Sequence, residues 1–251
     1  DTLDRRHLPR RLPIRYLAAF GPCNSGSLPA PRHLVAWTNF QTLTLQAKDT
    51  GFMALKIDYY LSLNSPWTYL GAARFARMAQ DHGANVRVKP VDFGKIFPAS
   101  GGLPLPKRAP QRQAYRLVEL GRWSEYLGLP VTLHPRHFPT PETLKAGVVI
   151  AADQLGGDPL ALSQAVLTAL WAEDRDTGDP EVLREIAEAT GHDGEALLAK
   201  AGDPTTQEIY DRLSEEALAA GVFGAPSYVV EGEIFWGQDR LDFLKRRLAK
   251  G

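Results

Sequence analysis

Ile57-Asp58-Tyr59-Tyr60-Leu61-Ser62-Leu63 runs straight into Asn64-Ser65-Pro66-Trp67-Thr68-Tyr69-Leu70, and this junction decides how the rest of the chain is read. The first segment is rich in β-formers and reads as a strand; Pro66, with its fixed φ and missing N–H, suits the first position of a helix. A strand therefore ends where a helix begins. Such a junction aims backbone N–H groups and the positive end of the helix dipole at whatever lies beside Ser65, which favours an anion there. A second reading stands beside this one: serine before proline is also an ordinary helix cap that satisfies one backbone donor and does no chemistry.

Working outward, Pro66 to about His82 reads as a helix with Ala72, Ala73, Ala76 and Ala79 as small packing residues, closed by Gly83. Val86-Arg87-Val88-Lys89-Pro90-Val91 alternates as a second strand, and strand–helix–strand order predicts a parallel pair with a right-handed crossover. Phe97 to Pro110 is rich in Gly and Pro and reads as a long loop of the kind that lines sites. From Gln111 to Gly221 the periodicity is helical, with Thr205-Thr206-Gln207-Glu208 as a capping box and Gly221 as a stop. Ser227-Tyr228-Val229-Val230, the turn Glu231-Gly232, and Glu233-Ile234-Phe235-Trp236 form a hairpin pattern; a last helix begins near Asp239 with Leu241, Leu244 and Leu248 on one face.

The order β-α-β, helical block, β-β-α is that of an α/β, thioredoxin-like fold with an all-helical insertion. The expected division is a leader over 1–52, a first part of the thioredoxin-like domain over 53–110, the insert over 111–221, and the second part over 222–251. The leader carries seven Lys or Arg against three Asp or Glu and shows no sustained period, so little order is expected in it. Met53 is the expected natural start. An Arg-rich transit segment and a nucleic-acid-binding arm are the rival readings of 1–52.

At 251 residues with 44% hydrophobic content the chain is long enough for a full core, and no apolar run approaches the ~20 residues that cross a bilayer. Charge balances at 29 basic against 29 acidic residues, which provides no broad field for nucleic acid or membrane. The expected compartment is cytoplasmic. One cysteine, Cys23, permits no disulfide or dithiol redox chemistry within a chain, so any thiol comes from outside.

Gly224-Ala225-Pro226-Ser227 places Pro226 where the thioredoxin fold keeps a cis proline facing the strand-to-helix junction, presenting the preceding backbone to a ligand peptide; a plain loop proline opening a strand is the other reading. Asp239 reads either as a helix cap or as an acceptor for a ligand ammonium, and Gln238 is less easily explained by capping. Lys107, Arg108 and Arg112 are candidates for a carboxylate, or simply solvated loop charges. His134 and His137 lack a third metal ligand nearby, no Gly-x-Ser-x-Gly elbow surrounds Ser65, and Gly101-Gly102 is no dinucleotide fingerprint.

Taken together, Asn64-Ser65-Pro66-Trp67-Thr68-Tyr69-Leu70, Gly221-Val222-Phe223-Gly224-Ala225-Pro226 and Phe235-Trp236-Gly237-Gln238-Asp239-Arg240 closely resemble 2-hydroxychromene-2-carboxylate isomerases and kappa-class glutathione transferases, from about Ile57 to the C-terminus. The resemblance implies a serine in place of the first cysteine of a Cys-x-x-Cys motif, glutathione as cofactor, a small aromatic substrate, and a homodimer. It implies Ser65 as the catalytic residue holding the glutathione sulfur as a thiolate, Pro66, Trp67, Ala225 and Pro226 along the tripeptide, and Gln238 and Asp239 at its γ-glutamyl end. Lys107 or Arg112 would take the substrate carboxylate. Kappa-class members typically carry an Asn where this chain has Gly101-Gly102-Leu103. The implied reaction interconverts 2-hydroxychromene-2-carboxylate and trans-o-hydroxybenzylidenepyruvate by reversible thiolate addition to the conjugated double bond. Conjugation or peroxide reduction with glutathione, and glutathione binding without turnover, are the competing readings.

Overall fold

Lys56–Leu61 forms β1, one of two inner strands in a four-stranded sheet of order β2-β1-β3-β4. Residues 55–250 are described, in a computed structural model; the leader, Met53 and Cys23 lie outside them. Helix α1 (Pro66–Asp81) follows, then β2 (Asn85–Pro90) parallel to β1, so the sequence-expected crossover pair is present. β3 (Ser227–Val230) lies antiparallel to β1, and β4 (Glu233–Trp236) pairs antiparallel with β3. The Glu231-Gly232 turn has φ of 49° and 85° at its two residues, the left-handed geometry that a two-residue hairpin needs.

The period of two along the strands divides the core. Ile57, Tyr59 and Leu61 face one side with Tyr228 and Val230, against α1 and the final helix; Tyr60 and Val229 face the other with Val91, Ile96, Ala217 and Val222. On the first side Tyr59 and Tyr228, opposite each other in register, stack at 5.2 Å, and Phe75 of α1 tilts against both.

Between the sheet halves run α2 (Phe93–Ser100), a 3-10 turn at Leu105–Lys107, α3 (Pro110–Leu127), α4 (Glu142–Gln154), α5 (Pro159–Trp171), α6 (Pro180–Ala189), α7 (Gly194–Ala201) and α8 (Pro204–Ala219). The chain ends in a 3-10 turn, Gln238–Arg240, and α9 (Leu241–Leu248). α5 packs on α1, and Val148, Val149, Leu167, Leu170 and Trp171 share one apolar cluster with the sheet and α1. The insert thus shares its core with the thioredoxin-like part. No helix among the described residues is long and apolar enough to cross a membrane.

Three local expectations are corrected. The loop expected from Phe97 begins only after Ser100, because its first residues end α2: Asp92 caps the helix, Ile96 is fully buried, and the Phe93 ring tilts against Phe97 at 5.2 Å, so packing outweighs the break at Pro98. The β1 strand stops at Leu61 because the Leu63 N–H is taken by the Glu142 carboxylate rather than by a neighbouring strand. The cap of α8 is Asp203, which accepts from the Thr205 N–H at 2.9 Å, one turn-start earlier than the Thr205-led box.

Candidate active site

Ser65 caps α1 and also faces the opposite loop. Its Oγ accepts the Thr68 N–H at 3.2 Å and lies 3.4 Å from the Ala225 carbonyl, to which it donates. The serine is thus a helix cap whose hydroxyl is also turned toward the loop before Pro226. The Ala225–Pro226 peptide is cis, and the Ala225 N–H makes no hydrogen bond to another described residue, which leaves one backbone donor beside Ser65 open to a ligand. Pro226 sends its carbonyl to the Gly237 N–H at 2.8 Å and so ties this loop to the start of the last helical segment. Gly224 is required by close approach: a Cβ there would run into the Trp236 indole, which packs over the loop and tilts against Phe223.

Behind Ser65 the insert supplies a polar anchor. Glu142, at the first turn of α4, accepts from the Leu63 N–H, from Asn64 Nδ2 at 2.6 Å and from Ser62 Oγ at 3.2 Å. Lys145, one turn on and fully buried, donates to Asn64 Oδ1 at 2.6 Å and to Thr140 Oγ1 at 2.5 Å. Thr140 in turn meets Thr177 at 3.2 Å, and its carbonyl accepts a second Asn64 Nδ2 bond at 2.8 Å. Asn64 thus has both ends of its amide fixed, and the residue after it is Ser65. Burial pushes the Glu142 carboxyl above its ordinary value, against the opposing pull of Lys145 and the three donors. Burial draws the Lys145 amine down to about 8, with Glu142 and Asp176 opposing.

These elements border a cavity of about 830 Å³. Asn64, Ser65, Pro66 and Trp67 line one wall; Phe223, Gly224, Ala225 and Trp236 close one end. The other wall comes from α2, the loop after it and α3, with Phe93, Phe97, Gly102, Leu103, Arg108, Arg112 and Arg116. Arg108 Nε donates to the Leu103 carbonyl at 2.8 Å and Gln113 Nε2 to the Arg108 carbonyl at 2.8 Å, which fastens the loop around the opening.

The structure therefore brings Ser65, Pro66, Trp67, Ala225 and Arg112 onto one cavity. It leaves four other sequence candidates off the wall. Lys107 ends the 3-10 turn and is exposed, while Arg108 beside it lines the cavity. Gln238 is buried and spent on Arg74, which donates to its side-chain Oε1 and, at 2.9 Å, to its backbone carbonyl. Asp239 pairs with its neighbour Arg240 at 2.6 Å, and Pro226 lies just behind Ala225. Sequence reading does not single out Glu142, Lys145 or Arg116. The available signals were Arg108, Arg112 and Arg116 recurring every four residues, and a lysine heading the otherwise apolar run Ala146–Ala152.

Residues 56–249 match the family model of the DsbA-like thioredoxin domain. The chain belongs to the DsbA-like thioredoxin family. Within that family it is 30% identical over 198 residues to 2-hydroxychromene-2-carboxylate isomerase of Sphingobium xenophagum, covering 78% of this chain and 99% of the relative. It is 24% identical over 210 residues to glutathione S-transferase kappa 2 of Caenorhabditis elegans, covering 75% of this chain and 91% of the relative. A solved structure of 2-hydroxychromene-2-carboxylate isomerase superposes with a TM-score of 0.66 at 27% identity, over 78% of this chain and 95% of that one. The family resemblance read from the motifs is thus correct, as is the thioredoxin-like fold with its helical insertion. DsbA-like chemistry with two cysteines is not available within this chain, whose single cysteine lies outside the described residues.

Proposed function

We propose that this protein is a glutathione-dependent isomerase that interconverts 2-hydroxychromene-2-carboxylate and trans-o-hydroxybenzylidenepyruvate. The observation that carries the reading is the meeting, in a cavity whose lining includes Trp67, Phe93, Phe97, Phe138, Phe223 and Trp236, of the Ser65 hydroxyl on the α1 N-terminus with the Ala225 backbone of the loop before Pro226. The names of the relatives support the choice of reaction. The residues present fit a cysteinyl peptide: an open backbone donor at Ala225, a hydroxyl at the positive end of a helix, and the Trp67 ring beside it.

Glutathione, when bound, supplies the thiol whose reversible addition to the conjugated double bond allows rotation about it. Ser65 Oγ, freed from its 3.4 Å contact with Ala225, donates to a thiolate while still accepting from Thr68, and the helix N-terminus lowers the cost of that negative charge. Arg112 pairs with the substrate carboxylate, and the aromatic wall excludes water from the reacting bond. Asn64, held by Glu142 and Lys145, keeps the Ser65 turn in place.

The test is a spectrophotometric assay of 2-hydroxychromene-2-carboxylate conversion by the full chain, with and without glutathione, with free thiol titrated alongside. Conversion that needs glutathione and leaves thiol unchanged is the expected result. Thiol consumption would replace this reading with a transferase or peroxidase, in line with the kappa-class relative; glutathione binding without any conversion would leave a binding module.

A further inference from the structure

We infer that the cavity's acceptor side is built for an aromatic or conjugated dianion, a molecule with a second carboxylate beyond the one that Arg112 takes. This rests on the proposed reading of the cavity as the place where a thiol meets its acceptor; the substrate named there carries one carboxylate, so the dianion is a further class of acceptor for the same cavity. Three arginines, Arg108, Arg112 and Arg116, line the same cavity as Ser65, and none of them is in an ion pair with a carboxylate among the described residues. The two carboxylates that do line the cavity are otherwise engaged: Asp92 caps α2 through the Gly94 N–H at 2.7 Å, and Glu142 serves three donors behind Ser65.

Arg116 is the most enclosed of the three. Its guanidinium lies 5.5 Å from the centre of the Phe138 ring and 5.6 Å from that of Trp171, held by stacking rather than by a counter-charge. Burial, with Arg108 nearby, draws its proton affinity down to about 10, and Arg108 is likewise lowered by burial and by Arg112. Like charges gathered in a partly desolvated wall are unfavourable until an anion enters. A single carboxylate neutralises one of the three. The planar forks of the others suit a second carboxylate, with the intervening conjugated system lying along Phe97 and Phe138.

Two sources could supply that second anion: the acceptor itself, or the glycyl carboxylate of glutathione. Isothermal titration of the full chain with cinnamate and with 4-carboxycinnamate, with and without S-methylglutathione, separates them. The expected result is that 4-carboxycinnamate binds about tenfold more tightly than cinnamate whether or not the tripeptide is present, and that R116Q abolishes the difference. S-methylglutathione affinity should stay within about twofold in R116Q, since the anion assigned to Arg116 is not the tripeptide's. Equal affinities for the two acids would overturn the inference. So would an R116Q variant that loses tripeptide affinity while keeping the dianion preference. If R116Q melts far below the parent chain, R108Q carries the same comparison. A dianion preference without isomerase turnover would sink the reaction proposed above and leave this inference standing; glutathione-dependent turnover with no dianion preference would do the reverse.

Discussion

On one wall of the cavity, Ser65 and Ala225 are set by backbone: a strand that becomes a helix, and a cis-proline loop held against it. Elsewhere on the same cavity, Arg108, Arg112 and Arg116 come from a loop and a helix of which Leu120 is the one fully buried residue. The first group is set by main-chain hydrogen bonds and an anchoring cluster; the second consists of long side chains on a loop and a helix that buries little of itself. The difference teaches that one part of the cavity is fixed by backbone geometry, whereas the other depends on which side chains a loop and a partly exposed helix carry.

The sharpest way to break this comparison is at Ser65. Ser65→Ala should lower glutathione-dependent conversion about 100-fold while costing only about 1 kcal/mol of stability for the lost cap, measured by steady-state rates and urea unfolding of the same preparation. A large loss of stability with unchanged rates would make Ser65 a cap and nothing more. The next effect tests the anchor. Glu142→Ala leaves the Leu63 N–H, the Asn64 amide and the Lys145 charge short of a partner, and should cost about 2–3 kcal/mol in urea unfolding. If stability is unchanged, the insert does not hold the junction.

The smallest effect is a pH signature. The Lys145 amine is held at about 8 in the fold against an ordinary value of 10.5, so its burial penalty is fully present below pH 8. Between these values the unfolded chain binds more protons, and stability rises with pH. Relative to Lys145→Met, the parent chain should gain about 1 kcal/mol between pH 7.5 and 9 in urea midpoints. Parallel profiles would show that Lys145 titrates as an ordinary exposed lysine. Glu142 works in the opposite sense: its raised carboxyl contributes stability that is lost as pH rises past the usual carboxylate range.

Local pattern was enough to determine the strand-to-helix junction, the parallel crossover, the two-residue Glu231-Gly232 hairpin and the place of Pro226, because each depends on a few neighbouring residues whose backbone preferences agree. Ser65 and Ala225 follow from the same signals. Helix α2 was not legible, since Pro98 and the glycines after it argue against a helix that only the burial of Ile96 and the Phe93–Phe97 contact sustain. Gln238 reads as a ligand contact in sequence, yet burial beside Arg74 commits it to the fold. Lys107 and Arg108 are adjacent and chemically alike, and only the turn of the chain puts one in solvent and the other on the cavity. Glu142 and Lys145 lie some 80 positions from the serine turn they hold, at separations of 78 and 81 from Asn64, and no local pattern encodes such a pairing. Backbone geometry is written in neighbouring residues; which distant side chains share a low-dielectric space, and so which charges meet, is decided only when the insert closes on the sheet.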